Sequence, residues 1–439
     1  MRVLLTDGTS LTSRQVARLL WRSGHEVGVL SPDPLCLARF TRGVRRLHRV
    51  PPYGPDPIRW LAATRRAYAA GGYDVLFPTQ EQVAVLSMSA AALLEDGVAT
   101  AVPSFEALLA VQDKLAAHAT LAKLGIPQPE ATVLTSGEEL AAWSNLPVFV
   151  KAPIGTATSG VWRVDGRNVL RRLARELEAS GAFADGGVLA QSVVDGPLVM
   201  LQGVFSEGGL VALHANLRVR AGARGGASHK RSIDLPEARA LLATLGRELR
   251  WNGALSADAI STPQGPAFID INPRLVEPGN AWASGVDLAG AMLDIARQAP
   301  GNLQPVGRSG VRTHQLLLAV LGAAQEGRGR SGVLRELSEA LRHDGAYEDS
   351  AEELTPVSGD WRAAVPLLLT CTATLVRPAT WRWFSESSVA NYALTPEGWR
   401  VIRSSGQSAA TPRRLAEGGE ASHERPAPPF QDAVPARPL

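Results

Sequence analysis

Short apolar runs alternate with amphipathic segments over the first hundred residues of the chain. The runs in RVLLTDG, HEVGVLSPDP and YDVLFPT end in turn residues and predict buried strands. The segments SRQVARLLWRSG, residues 57–72 and EQVAVLSMSAAALLEDG have helical spacing, and the first helix is predicted to be capped by Ser13 and ended by Gly24. Strands that alternate with helices predict an open parallel α/β domain over residues 1–102.

A different pattern occupies residues 254–273, ALSADAISTPQGPAFIDINP, where two apolar runs flank a cluster of turn residues. This arrangement is typical of a β-hairpin. If the turn is centred on Gln264, Asp258 lies opposite Asp270, because both are equally far from the centre. Alternation along the strand places Asn272 on the same face as Asp270.

Two carboxylates opposite each other on a sheet repel, and a bound cation removes that repulsion. Together with the carbonyl oxygen of Asn272 they form an oxygen-only site of the kind that Mg²⁺ prefers, usually with water and phosphate oxygens as further ligands. An exposed polar face on an ordinary hairpin explains the spacing equally well. The metal interpretation therefore needs phosphate-binding residues elsewhere in the chain.

Two upstream lysines are candidates for that role. Lys114 begins a predicted helix in VQDKLAAHATLAKLG, and Lys151 ends a predicted strand in LPVFVK, before the loop PIGTATSGV at residues 153–161. Lysines next to a flexible glycine-containing loop can hold phosphate oxygens, and the N–H groups of the loop can close over them. Taken singly, each lysine is better explained as a solvated surface residue.

The order of these motifs resembles the ATP-grasp superfamily, and most closely its carboxylate–amine ligase branch. The elements are DK, GIPQP, VFVKAP, the glycine-rich loop, LAQSVVDG and finally DAI with FIDINPR. The resemblance covers residues 103–300 and implies a two-lobed ATP-grasp domain with its hinge near residues 188–196. The predicted fold class is α/β (α+β): the open parallel domain, then the ATP-grasp domain, then a mostly helical region at residues 301–403. Residues 404–439 are polar and rich in Pro and Ala, which predicts a disordered tail.

The resemblance also implies roles for individual residues. Lys114 and Lys151 match the lysines that contact ATP phosphates, and Arg274 matches an arginine that faces phosphate or the acyl substrate. The magnesium ligands, for one or two ions with Mn²⁺ as an alternative, match Asp258, Asp270 and Asn272. The loop that covers the triphosphate contains Gly155, Thr156, Thr158, Ser159 and Gly160, and the hinge that contacts adenine contains Gln191, Ser192, Val193 and Val194.

Three positions depart from the family pattern. Gln191 stands where the hinge often has Glu, although main-chain contacts to adenine do not depend on that side chain. Pro197 and Leu198 follow the hinge glycine where an acid often holds the ribose, which leaves Asp195 as a substitute. Asp270 stands where Glu is common, and the shorter side chain weakens one metal position.

A basic segment at residues 214–232, HANLRVRAGARGGASHKRS, is a further candidate. Arg218 and Arg220 alternate on a predicted strand and share a face suited to carboxylate or phosphate, and matching superfamily positions often have arginine. The part that contains His229, Lys230 and Arg231 is interpreted either as a substrate-gating loop or as a solvated basic turn.

These features predict an ATP-dependent ligase that activates a small-molecule carboxylate as an acyl phosphate, which an amine or thiol then attacks. The alternative is an ATP-binding regulatory or membrane-associated protein without ligase turnover, which Gln191 and the missing ribose acid support. A nicotinamide dehydrogenase is disfavoured, because the first turn, TDGTSLTS, lacks the G-x-G-x-x-G spacing.

Composition adds limits to this picture. A hydrophobic content of 45% and a charged content of 20% are ordinary for a globular protein, and a net charge of +3 gives no argument for a nucleic-acid partner. The two cysteines exclude a disulfide framework. The start, MRVLLTDGTS, interrupts its apolar run at once, so we expect no signal peptide and a cytoplasmic location. The pattern gives no oligomeric state.

The segment DWRAAVPLLLTCTATLVRPATWRWF at residues 360–384 contains an apolar run from Ala363 to Val376. The run is too short to span a bilayer. It predicts a buried helix. The alternative is an interfacial helix at the inner membrane face, in which Trp381, Trp383 and Phe384 enter the bilayer and Arg377 and Arg382 meet anionic lipid.

Overall fold

The computed structural model of the chain describes residues 1–156, 159–299 and 303–410. The N-terminal part is a parallel four-stranded sheet in the order β3-β2-β1-β4. Its strands are β1 (Arg2–Leu5), β2 (Glu26–Ser31), β3 (Val44–Arg49) and β4 (Val75–Phe77), and its helices are α1 (Leu11–Arg22), α2 (Pro57–Gly71), α3 (Val83–Met88) and α4 (Ala90–Glu95). The predicted parallel α/β arrangement is confirmed. The predicted cap of α1 is wrong, because Ser10, and not Ser13, accepts the capping hydrogen bond.

The first lobe of the central domain is an antiparallel sheet in the order β5-β8-β6-β7. Helices pack beside it around a separate apolar core. The elements are α5 (Phe105–Leu109), α6 (Lys114–Lys123), β5 (Ala131–Leu134), α7 (Gly137–Ala142), β6 (Val148–Lys151), β7 (Val161–Val164), α8 (Arg167–Ala179) and β8 (Val188–Ser192). On α8 every third or fourth residue, from Leu170 to Leu177, is buried, which is the pattern of a helix that covers one face of a sheet.

The second lobe is a seven-stranded sheet in the order β13-β12-β9-β10-β11-β14-β15, of which β14 (Arg312–His314) and β15 (Ser350–Glu352) come from the C-terminal region. Most of this sheet consists of long neighbouring strands that are connected by short turns. These elements are β9 (Leu198–Ser206), β10 (Gly209–Ala221), β11 (Ala227–Ser232), α9 (Pro236–Glu248), β12 (Gly253–Thr262), β13 (Gly265–Asn272), α10 (Gly279–Ser284) and α11 (Leu288–Ala296). Pairing within this sheet is antiparallel except between its last two strands.

The C-terminal region is mostly helical, as predicted, but it is not separate from the second lobe. Two of its strands extend the seven-stranded sheet beyond β11. The elements are β14 (Arg312–His314), α12 (Leu316–Gln325), α13 (Gly329–Arg342), β15 (Ser350–Glu352), α14 (Ala364–Val376), α15 (Trp381–Ala390) and α16 (Pro396–Ala410). The last helix continues past residue 403, and the rest of the predicted tail, residues 411–439, lies outside the described residues.

Helix α14 is only partly buried, in contrast to the predicted core helix. Its inner face includes Thr370, Cys371 and Thr374, whereas Leu368 and Leu369 are exposed. Among the described residues, no helix has the length and apolar character needed to cross a membrane.

Candidate functional site

The hairpin of β12 and β13 places Asp258 directly opposite Asp270, as predicted. The turn that closes it is tighter than expected, because Thr262 pairs with Gly265 and the centre lies between Pro263 and Gln264. A β-bulge between Phe268 and Asp270 adds one residue to β13 and restores the predicted pairing. Phe268 and Ile271 are therefore both buried although they are three positions apart.

Burial of this face perturbs the ionisation of Asp258. The pKa of Asp258 is raised to about 7, mainly by loss of hydration and next by the negative charge of Asp270. The positive charges of Arg274, Arg218 and Lys151 act in the opposite direction. The two carboxylates thus form a site in which additional positive charge stabilises the ionised state.

Lys151, at the end of β6, provides part of that charge from the other lobe. Its side chain is only 5% exposed, and its Nζ donates a hydrogen bond to the carbonyl oxygen of Ile269 at 2.6 Å. Ile269 is the extra residue of the bulge. Burial lowers the pKa of Lys151 to about 8, an effect that Asp270 opposes and the neighbouring positive charge of Lys114 reinforces.

Lys114 approaches the same carboxylate pair from the start of α6. Asp113 caps this helix by accepting a hydrogen bond from the N–H of Ala116 at 2.7 Å, which fixes the first turn. The Nζ of Lys114 lies 3.7 Å from Oδ1 of Asp270 and donates to the carbonyl oxygen of Gly155 at 3.4 Å. Both predicted lysines therefore reach the hairpin, Lys114 at the carboxylate of Asp270 and Lys151 at the carbonyl oxygen of Ile269.

The glycine-containing loop connects β6 to β7 beside these lysines. Its base is closed by a hydrogen bond from the N–H of Ala152 to the carbonyl oxygen of Gly160 at 2.8 Å, and the N–H of Lys114 donates to Pro153 at 3.0 Å. A Cβ atom at Gly155 would collide with the carbonyl oxygen of Ser159, so the turn requires glycine there. Gly155, Thr156, Ser159 and Gly160 all lie in this loop, and Thr158 lies outside the described residues.

The predicted hinge follows the strand β8, which pairs with both β5 and β6. Gln191 is buried within that strand, and Ser192 donates its N–H to the carbonyl oxygen of Glu130 at 2.8 Å. The strand ends at Ser192, and Val193 and Val194 continue half-buried toward the second lobe. Lys114, Lys151, Gln191 and Asp270 line one cleft together with Phe268.

The three candidate arginines have different environments. Arg274 is buried, and its Nε donates to Oε1 of Glu81 at 3.1 Å, so it joins the hairpin to the N-terminal domain. Arg218 lies near enough to lower the pKa of Asp258, and its Nη1 donates to the carbonyl oxygen of Gly225 at 2.8 Å. Arg220 forms a two-contact ion pair with Glu336 of α13.

A second bulge explains why the two neighbouring arginines separate. Arg218 pairs with Lys230 and Arg220 with His229, so Val219 is an extra residue that interrupts the alternation of β10. The expectation that both arginines serve one face is not met by these contacts. The guanidinium of Arg220 is instead committed to a structural ion pair.

Of the segment GARGGASHKR, residues 222–226 form a turn between two strands, whereas residues 227–231, with His229, Lys230 and Arg231, form neither a loop nor a turn. These residues belong to strand β11, and the Lys230 side chain is only 2% exposed. Nζ of Lys230 lies 2.7 Å from Oε2 of Glu277 and 2.6 Å from Oε1 of Glu353. Burial lowers the pKa of Lys230, but these two carboxylates outweigh it and the net shift is upward.

Sequence reasoning missed the residues of the N-terminal domain that face Arg274. Asp7 follows β1 and Glu81 follows β4, so both stand at the carboxyl ends of parallel strands, where ligands of open α/β sheets usually bind. Asp7 accepts hydrogen bonds from the N–H groups of Thr9 and Ser10, both at 2.8 Å. Burial raises the pKa of Tyr392, Asp7 adds to the increase and Arg274 opposes it, so these groups share one region. The position of Asp7 and Glu81 at strand ends is the sequence signal that could have identified them.

Solved structures with similar folds are known, whereas no protein-family model matches the chain. The biotin carboxylase domain of Hydrogenobacter thermophilus 2-oxoglutarate carboxylase, in complex with MgADP, ADP and bicarbonate, is 18% identical with a TM-score of 0.57, over 71% of this chain and 73% of that one. The ADP complex of N5-carboxyaminoimidazole ribonucleotide synthetase is 18% identical with a TM-score of 0.56, over 77% of this chain and 85% of that one. The L-amino acid ligase of Bacillus licheniformis is 14% identical with a TM-score of 0.52, over 69% of this chain and 77% of that one.

These three enzymes are ATP-grasp proteins, and the similarity covers 69–77% of this chain. The order of strands and helices agrees with that architecture. The chain has the ATP-grasp fold.

Proposed function

We propose that the chain is an ATP-dependent ligase that activates a carboxylate as an acyl phosphate and joins it to an amine or a thiol. The observation that carries this proposal is the convergence of Lys114 and Lys151, from one lobe, on Asp258 and Asp270 of the other. Two structures with this fold are complexes with ADP, one of them with magnesium, which supports a nucleotide at the same cleft.

In this proposal the nucleotide lies between the lobes. The backbone of Val193 and Val194, where the chain leaves the first sheet, contacts the adenine edge, and Gln191 and Ser192 hold that segment in the sheet. The phosphates lie against Lys114 and Lys151, under the loop that contains Gly155, Thr156, Thr158, Ser159 and Gly160. Ammonium groups at a strand end and a helix start match that role.

The residues present fit a magnesium ion. Asp258 and Asp270 face each other in a partly buried site, where loss of hydration and the charge of Asp270 raise the pKa of Asp258, so a bound cation would stabilise its ionised form. Asn272 pairs with Ser256 on the same hairpin and adds a third oxygen donor. Within residues 1–156, 159–299 and 303–410, no group of three His, Cys, Asp or Glu side chains could hold a metal, so phosphate oxygens complete the proposed set.

The side chains of this chain would act by electrostatic stabilisation. When bound, the magnesium ion would neutralise charge that develops on the transferring phosphoryl group. Lys151 and Lys114 would place two further positive charges beside it, with Lys151 held by the carbonyl oxygen of Ile269 and Lys114 held beside Asp270. The loop between β6 and β7 excludes water from the activated carboxylate.

The second substrate would bind where the N-terminal domain meets the hairpin. Arg274 offers a guanidinium for a carboxylate or phosphate, and Glu81 fixes its orientation. Tyr392 lies near this region, because the charges of Asp7, Arg274 and Glu81 act on it. Arg218 lies near the proposed metal site, because its charge lowers the pKa of Asp258. Arg220 would act on substrate only if it left Glu336.

The test is a phosphate-release assay with ATP and pooled carboxylates and amines. We expect release that requires both pools, and that Asp270→Ala abolishes it. Asp165→Asn is the control, because Asp165 is an exposed carboxylate of the first lobe that pairs only across the surface with Arg163 in the described contacts. Full activity of Asp270→Ala would contradict the metal assignment.

The alternative, a nucleotide-binding regulator without turnover, keeps support from the buried Gln191 at the hinge and from Lys151, whose ammonium is already hydrogen-bonded to Ile269. Calorimetry separates the two functions. Tight binding of Mg-ATP without phosphate release from any pool would favour the regulator over the ligase.

A further inference from the structure

Helix α14 exposes large apolar side chains on its outer face. Leu368, Leu369 and Val376 are 64%, 60% and 67% exposed, although Leu367 and Leu375 of the same helix pack against the core. A helix on the surface of a globular protein normally has polar side chains on its outer face. The buried hydroxyl of Thr374 donates to the carbonyl oxygen of Thr370 at 2.6 Å, so this inward polar group is satisfied.

Exposed aromatic residues flank this helix in the sequence. Trp361 precedes α14 and Trp383 follows it on α15, and they are 67% and 66% exposed. We call the exposed apolar residues Trp361, Leu368, Leu369, Val376 and Trp383 the α14 face. Single exposed apolar residues are common, but several large ones within one short segment indicate a binding surface.

The charge of the segment indicates what binds there. Residues 361–384 contain Arg362, Arg377 and Arg382 and no acidic residue. The guanidinium of Arg362 lies 6.0 Å from the ring of Trp361, and that of Arg382 lies 5.8 Å from the ring of Trp381. Tryptophan beside arginine, around an outward row of leucine and valine, is the composition of a helix that lies in a lipid headgroup layer.

The dimensions of α14 agree with this orientation. Thirteen helical residues are about 20 Å long, less than the ~30 Å hydrocarbon core, so the helix can lie on a bilayer but cannot cross it. We propose that the α14 face docks on an anionic lipid surface, with its apolar side chains at the acyl boundary and its arginines at the headgroup phosphates. This proposal does not depend on the ligase activity.

The test is flotation of the full chain with vesicles of phosphatidylcholine, with and without one third phosphatidylglycerol. We expect binding to the anionic vesicles that decreases with added salt, and little binding to phosphatidylcholine alone. Leu368→Ser with Leu369→Ser should reduce binding about tenfold or more, because both side chains lose their apolar contact with lipid. The matched control is Leu35→Ser with Leu94→Ser, which changes two equally exposed leucines of the N-terminal domain.

Several outcomes would overturn the proposal. One is absence of flotation by the full chain, and another is equal flotation of the α14 variant and the unchanged protein. An equally large loss of binding in the Leu35 and Leu94 control would show that binding depends on exposed apolar side chains in general and not on the α14 face. Light scattering is run in parallel: a concentration-dependent dimer that the α14 variant loses, without vesicle binding, would assign the face to a second copy of the chain. Thermal unfolding of both variants verifies that they fold.

Discussion

Lys151 and Lys230 are both buried lysines, 5% and 2% exposed, but their surroundings differ in one respect. Lys230 lies within 2.7 Å of two carboxylates, and the net effect raises its pKa. Lys151 bonds a neutral carbonyl oxygen, faces a second lysine, and has its pKa lowered to about 8. The charge of Lys230 is neutralised by carboxylates of the fold, whereas Lys151 retains a charge that an anionic ligand can neutralise.

The difference shows how burial alone fails to identify a functional lysine. Burial without a local partner costs free energy, and a protein retains such a charge where a ligand supplies the partner. Lys230 is explained without any ligand, because Glu277 and Glu353 complete its environment. We therefore propose a structural role for Lys230 and a nucleotide-binding role for Lys151, and each role can be tested.

The largest expected effect is on folding, in Lys230→Met. Removal of the ammonium leaves Glu277 and Glu353 buried side by side, and breaking such a pair costs about 3–5 kcal/mol of the free energy of unfolding. Urea denaturation measures this loss. Phosphate release per folded molecule should stay within about threefold of the unchanged protein. The double variant with Glu353→Gln should recover part of the lost stability. If it does not, the loss in Lys230→Met comes from other contacts of Lys230 and not from the unpaired carboxylates.

The second effect is on catalysis, in Lys151→Met. Loss of one charge that stabilises the transferring phosphoryl group should reduce kcat by about 10²- to 10³-fold. The free energy of unfolding should not fall by more than about 1 kcal/mol, because the buried ammonium is poorly compensated before ligand binds. Steady-state phosphate release and urea denaturation on one preparation give both numbers. A large loss of stability with little loss of activity would reverse the roles of the two lysines.

The third effect is a pH dependence of kcat/KM. Asp258 must be ionised to hold the metal, and its pKa of about 7 sets the acid limb. Lys151 must be protonated to bind phosphate, and its pKa of about 8 sets the alkaline limb. Activity should peak between these values and fall about tenfold per pH unit outside them. Lys151→Arg should flatten the alkaline limb, because guanidinium stays protonated; an unchanged limb would assign it to another group.

The free energy of unfolding should rise with pH on the alkaline side, where activity falls. Since the folded pKa of Lys151 lies below its ordinary value of 10.5, the unfolded chain binds more protons between about pH 8 and 10.5. The free energy of unfolding of the ligand-free protein should therefore contain a contribution that rises with pH in this window, by at most about 1.4 kcal/mol per unit. Lys151→Met should lack that contribution in matched denaturation curves, and equal slopes would contradict the lowered pKa.

Much of the site follows from sequence, because the hairpin, the lysines and the loop are local patterns in a fixed order. The pairing of Asp258 with Asp270 is correct even though the predicted turn centre is not, since the bulge at Ile269 compensates for the tighter turn. Strand β3, VRRLHR, was missed because it is a polar edge strand whose alternation is masked by exposed arginines. Contacts over long sequence separation were also missed. Arg274 with Glu81 and Lys230 with Glu353 depend on packing between domains that no local pattern encodes.

The smallest expected effect concerns an exposed charge at the edge of the nucleotide site. Asp195, which follows the hinge, is the acid that we propose as the ribose contact, and it is exposed to solvent. A hydrogen bond from such a group contributes about 0.5–1.5 kcal/mol, so Asp195→Ala should raise the KM for ATP by roughly two- to tenfold and leave kcat unchanged. The effect is smaller than that of Lys151→Met because of burial: water competes with the nucleotide for the exposed Asp195 but not for the buried Lys151. If Asp195→Ala instead lowered kcat as much as Lys151→Met does, burial would not be what distinguishes the nucleotide-binding charges of this chain.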